Sequence, residues 1–152
     1  MNSRIYVIVI FIMGIIASCN LLPNTVVWVR NINFEIDQKA NGGKPFVCHV
    51  VVPYNDELKE LIVSMDSKAY FNKIAKLKKE NKDFIEILEF DMIPGKNQIN
   101  KPIKLKSYAK AKGAYLFAKY EIPGKFMEDI GGTPLATIRC LSHKIELVDK
   151  TE

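Results

Sequence analysis

Apolar side chains recur at every second residue along much of this chain, and that period leaves little choice of secondary structure. Phe84, Glu86, Leu88, Phe90 and Met92 share one face of such a run, while Ile85 and Ile87 share the other. A period of two belongs to a strand, because successive side chains of a pleated backbone point to opposite sides. Val26, Trp28, Ile32, Phe34 and Ile36 form a second alternating set, blurred at its start by Val27 and Val29. Residues 45–53 are valine-rich and bounded by Pro45 and Pro53, a composition suited to a strand in a sheet interior. Residues 98–106, 114–122 and 135–148 read as further strands, and Pro102 places the first of these at an edge or a break. Polar and glycine-containing segments punctuate them: residues 37–44, Pro94-Gly95-Lys96-Asn97, Pro123-Gly124 and Gly131-Gly132. Six or seven short strands separated by regular turn signals predict a mainly β fold, a β-sandwich.

One stretch breaks the pattern. Asn55 can cap a short turn carrying Leu58, Leu61 and Ile62, and Asp66 or Ser67 can cap a second helix with Tyr70, Phe71, Ile74 and Leu77 on one face. Lys76, Lys78, Lys79 and Lys82 crowd the end of that helix, where cations oppose its negative pole. The sandwich is therefore expected to carry a short helical insert after its second strand.

The first residues are of another kind. Met1-Asn2-Ser3-Arg4 is a short basic start, and residues 5–16 are almost wholly apolar. Ile16-Ala17-Ser18-Cys19 closes the segment with small residues and a cysteine. This is the make-up of a secretory signal, and the apolar run is shorter than the roughly 20 residues a membrane-spanning helix needs. The last four residues resemble the lipobox of bacterial lipoproteins. That resemblance implies a signal peptide at 1–18, acylation of Cys19, a lipidated tether at 19–24 and a folded domain at 25–152. Each buried methylene adds about 0.8 kcal/mol, so two or more acyl chains give stable attachment. Asn20 after the cysteine, by resemblance to enterobacterial sorting, points to the periplasmic face of the outer membrane.

Cys19 aside, two cysteines remain, Cys48 and Cys140. In an oxidising compartment a disulfide between them is expected, and two buried thiols packing as small hydrophobes are the alternative. The chain is basic, with a net charge of +5, and Arg4 is the only charged residue before Cys19. Lys96, Lys101, Lys104, Lys106, Lys110 and Lys112 meet no acidic residue until Glu121. They make either a solvated surface or a basic patch for anionic lipid or an acidic partner. An exported domain is not expected to meet nucleic acid.

Signs of catalysis are weak. His49 follows Cys48, and His143 lies three residues after Cys140. Read as strand residues, both pairs are split across a sheet, which argues against a zinc site or a Cys-His nucleophile. No Gly-x-Ser-x-Gly elbow, phosphate loop or His-Glu-x-x-His is present. No enzyme, metal, cofactor or small-molecule substrate is expected.

The order of features adds a resemblance. A lipobox precedes a strand with Trp28 and Asn31-x-Asn33. Asn41-Gly42-Gly43-Lys44-Pro45-Phe46-Val47 then leads into Val50-Val51-Val52-Pro53-Tyr54. Ser67-Lys68-Ala69-Tyr70-Phe71 and the turn Ile93-Pro94-Gly95 follow. In this order they resemble the TssJ lipoproteins of type VI secretion systems, including the Francisella-type IglE. The chain departs from that family in lacking a tryptophan near its C-terminus. The resemblance implies a transthyretin-like β-sandwich that binds the periplasmic domain of an IcmF/TssM-like inner-membrane protein. It places the contact in the loop between the first two strands, residues 37–44, with Gln38, Lys39, Asn41 and Lys44 as the contact residues. The competing roles are a lipid-anchored carrier with a ligand pocket between its sheets, and a periplasmic enzyme of another type.

Overall fold

The alternating segments pair into two sheets that face each other. A computed structural model describes residues 26–124 and 126–148. The signal at 1–18, Cys19 and the tether at 19–24 lie outside the described residues. The elements in chain order are β1 (Asn31–Ile36), a 3-10 turn (Ala40–Gly43), β2 (Phe46–Pro53), α1 (Asp56–Val63) and α2 (Ser67–Glu80). Then come β3 (Ile85–Met92), β4 (Gln98–Pro102), β5 (Tyr115–Ala118), β6 (Met127–Asp129), β7 (Leu135–Cys140) and β8 (Ile145–Leu147). One sheet has the order β4-β1-β7-β8 and the other β3-β2-β5-β6. All pairings are antiparallel except β1 with β7.

Ile32, Phe34 and Ile36 of β1 meet Cys48, Val50 and Val52 of β2, with Met92, Leu116 and Ile138, in a core that fills the space between the sheets. The opposite face of the second sheet sends Val51, Tyr115 and Phe117 into a separate cluster with Leu58, Ile62, Tyr70 and Leu77 of the helices. Tyr70 stacks on Phe117 with ring centroids 4.2 Å apart. β2 is thus covered on both faces, as its valine-rich composition implies, and β4 is an edge strand. The helices begin where their caps are. Asn55 accepts the backbone N–H of Leu58 at 2.8 Å, and Asp66 accepts that of Ala69 at 2.7 Å.

Three expectations about the strands need correction. Trp28, grouped with Ile32 and Phe34, points outward and is 54% exposed, whereas Val27 and Val29 are buried. The cause is local. The N–H groups of both Arg30 and Asn31 donate to the carbonyl of Pro134, so one residue is inserted and the inward phase shifts from odd to even positions. The segment expected as a single strand over 135–148 is a hairpin, β7 and β8, closed by a Leu141 N–H to Lys144 carbonyl bond. The loop expected before Pro134 contains β6, three residues paired with β5. The described structure therefore has eight strands.

The structure brings the two expected disulfide partners together as thiols. Cys48 and Cys140 are free, buried thiols brought close together from the two facing sheets. Burial, reinforced by this neighbour, pushes the Cys48 pKa far up.

Candidate functional site

The segment 37–44 is polar, yet it is built as tightly as a core element. The carboxylate of Asp37 accepts the Lys39 N–H at 2.6 Å, and its carbonyl accepts the Ala40 N–H at 3.0 Å. Asn41 follows in the left-handed region at φ 48°, a conformation asparagine tolerates better than other residues with a Cβ. Its side chain turns inward and is 5% exposed. The Asn41 amide donates to the carbonyl of Lys44 at 3.3 Å and, more weakly, to that of Pro45 at 3.5 Å. Its oxygen accepts the Glu121 N–H at 2.7 Å. One residue thereby closes its own loop and joins it to a second loop 80 positions away.

The other three expected contact residues, Gln38, Lys39 and Lys44, are exposed. Lys44 reaches the Glu121 carboxylate at 2.7 Å, beside the Asn41 bond. Gln38 packs against the turn at Gly95, whose N–H donates to Ile36. A Cβ at residue 95 would lie 3.1 Å from the Gln38 side chain, and φ is 76° there, so glycine suits this turn on both counts. Asn97 accepts the Ile36 N–H at 2.7 Å and fastens the same turn to β1.

Below these loops Tyr120 makes an edge-on contact with Phe46 and stacks on Phe126, and its hydroxyl donates to the Leu141 carbonyl at 2.8 Å. Burial pushes the Tyr120 pKa up, so it stays a neutral donor. A cavity of about 250 Å³ opens next to it, lined by Ser67, Phe71, Lys119, Ile122 and Phe126, with Glu121 at its side. The loops at 37–44, 93–97, 119–124 and 141–144 thus form one end of the sandwich. Glu121 and Tyr120 belong to that end and were not foreseen. The only local signal for their loop was Pro123-Gly124.

The histidines lie elsewhere. Cys48 points into the space between the sheets and His49 to the helical side, the split that strand alternation predicts. His49 Nδ1 is 3.0 Å from the Tyr70 hydroxyl, and its Nε2 is 3.8 Å from Glu89. Burial lowers its pKa, opposed by Glu89 and aided by Lys78 and Lys119. His143 sits on the β7–β8 turn, exposed, beside the Ser142 hydroxyl. Glu86 lies at the sheet rim, where it accepts the Tyr54 hydroxyl and the Lys106 N–H. Among the described residues no three His, Cys, Asp or Glu side chains come together as metal ligands.

Several solved structures share this architecture. Serratia marcescens Lip, a membrane bound component of the Type VI Secretion System, superposes with a TM-score of 0.60 at 17% identity, over 80% of this chain and 97% of Lip. The T6SS lipoprotein TssJ1 from Pseudomonas aeruginosa gives 0.59 at 16% identity, over 82% and 98%. The chain has the TssJ fold. A chain in a structure described as the T6SS protein TssM C-terminal domain from EAEC gives 0.55 at 14% identity, over 79% and 97%. No protein-family model matches the sequence, and no curated protein does. At these identities the TssJ likeness is one of fold.

Proposed function

We propose that this protein is a lipoprotein acylated at Cys19 and held on the periplasmic face of the outer membrane. There it serves as a structural component of a type VI secretion membrane complex. It binds the periplasmic domain of an IcmF/TssM-like inner-membrane protein through the end of the sandwich that carries Gln38, Lys39 and Lys44. Asn41 supports that surface from within. The role is mechanical attachment, with no bond made or broken.

The observation that carries this reading is the placement of the two ends. The chain leaves the tether at residues 26–30, which lie beside Ile103, Gly131 and Pro134. The loops at 37–44, 93–97 and 119–124 lie at the opposite end of both sheets. A domain anchored at the first end presents the second away from its own membrane, towards a partner rooted in the other one. Loops fixed to a rigid scaffold are the usual place for recognition. The shared fold with type VI secretion lipoproteins supports the same assignment. A ligand carrier finds no support, because side chains occupy the space between the sheets.

The test is capture of the partner's periplasmic domain by the immobilised protein. Gln38→Ala combined with Lys39→Glu should weaken capture by about tenfold or more, as charge reversal at an interface does. The thermal midpoint should stay unchanged. Undiminished capture would place the interface elsewhere.

A further inference from the structure

The end of the sandwich opposite the candidate loops has a surface that the proposed function leaves unused. Val26 and Trp28 are turned outward by the inserted residue at Arg30, and Leu135 is exposed beside them at 45%. The three line a groove of about 920 Å³ together with Lys59, Lys112, Gly131 and one acid, Asp129, whose carboxylate accepts the Gly131 N–H. Trp28, the only tryptophan of the sequence, is 54% exposed, and with Val26 and Leu135 it makes a contiguous apolar patch of the kind that marks a contact surface. The loop that follows β4 is clamped against this end. Ile103 donates its N–H to the Arg30 carbonyl at 2.8 Å, and the Arg30 guanidinium lies 3.5 Å above the Tyr108 ring. Lys104, Lys106 and Lys110 project from that loop, exposed and outside every ion pair among the described residues. Lys112 differs, being paired with Asp56 at 3.2 Å.

Chain length says what can cover this end. Residues 20–25 are all that separates Cys19 from Val26. A fully extended chain rises at most about 3.6 Å per residue, so the sulfur of Cys19 lies within roughly 25 Å of Val26. An acyl chain on that sulfur therefore keeps the exposed tryptophan close to a bilayer. Tryptophan favours the headgroup level of membranes, and lysines near the surface are drawn to anionic lipid.

We propose that Val26, Trp28 and Leu135, with Lys104, Lys106 and Lys110 on the loop at the same end of the sandwich, seat on the anionic headgroups of the bilayer to which Cys19 is tethered. The inference rests on acylation of Cys19 and adds an orientation to it. The domain does not swing freely on its anchor; it stands on this face with the 37–44 loop directed away.

Trp28 is the only tryptophan, so its fluorescence reports this face alone. The lipidated protein is reconstituted into phosphatidylethanolamine/phosphatidylglycerol vesicles, with and without brominated acyl chains. Bromine should quench Trp28 and iodide in the water should not. Lys104→Gln, Lys106→Gln and Lys110→Gln should each lower the seated-to-free ratio about fivefold, the equivalent of about 1 kcal/mol per lysine near an anionic surface. Trp28 that remains open to iodide and unquenched by bromine, in protein whose mass shows the acyl chains and which floats with vesicles, overturns the inference and leaves the anchor intact. Trp28 shielded only on addition of the partner's periplasmic domain assigns the face to protein and also overturns it. An unmodified Cys19 removes the anchor, and the inference with it.

Discussion

Asn41→Ala tests whether the candidate site is held from inside. The substitution deletes the acceptor of the Glu121 N–H, a 2.7 Å bond between two loops, and both amide donations to Lys44 and Pro45. Asn41 is itself buried, and a part-buried donor that loses this acceptor, together with the two lost amide bonds, costs about 1–3 kcal/mol. Alanine must also adopt φ 48°, where a residue with a Cβ and no local hydrogen bond pays about 1 kcal/mol or more. The sum is about 2–4 kcal/mol. With a urea slope of about 2 kcal/mol per molar, the unfolding midpoint should fall by about 1–2 M. Urea unfolding followed by circular dichroism reads this directly. Lys39→Ala, at an exposed position in the same loop, is the control and should leave the midpoint in place. A loss below about 0.5 kcal/mol for Asn41→Ala, the level of an ordinary surface change, would refute the reasoning. Asn41 would then belong with the contact residues and not with their support.

Other expectations follow from the buried groups. Cys48 and Cys140, free and adjacent in the structure, should close into one intramolecular disulfide when the protein is held in an oxidising compartment. Unreduced, denatured mature protein should then show no free sulfhydryl on either, and two reactive thiols would exclude the bond. His49 has its pKa lowered by burial from 6.5, so the unfolded chain takes up a proton first as pH falls. Stability should decline as pH drops below 6.5 towards the folded-state value, and His49→Gln should flatten that slope in denaturation curves recorded at several pH values.

Much of the scaffold was legible because local chemistry and tertiary demand agree. Leu88, Phe90 and Met92 turn towards the facing sheet and Ile85 and Ile87 towards the helices, as alternation requires, while Phe84 lies just before the strand and is exposed. Asn55 and Asp66 cap where short polar side chains precede apolar helical faces, and Pro102 marks an edge. What escaped depends on partners far along the chain. The inserted residue that everts Trp28 is set by the carbonyl of Pro134, and nothing near residue 28 announces it. The turn at residues 141–144 lacks glycine and proline, so one long strand was read where two exist. Asn41 looked like an exposed loop residue because its amide and oxygen were assumed to face solvent. The loop that contains Glu121 was invisible as part of the site until the two segments were seen bonded.

The parallel pairing of β1 with β7 also governs the order of assembly. Glu35 and Arg139 are aligned side by side although 104 positions separate them. The edge of β1 that β7 covers must wait unpaired until nearly the whole polypeptide has passed, although β4 and the facing sheet reach β1 sooner. Closing so large a loop is slow. A chain interrupted before residue 135 would leave one backbone edge of β1 without its neighbour, open to any extended peptide that meets it.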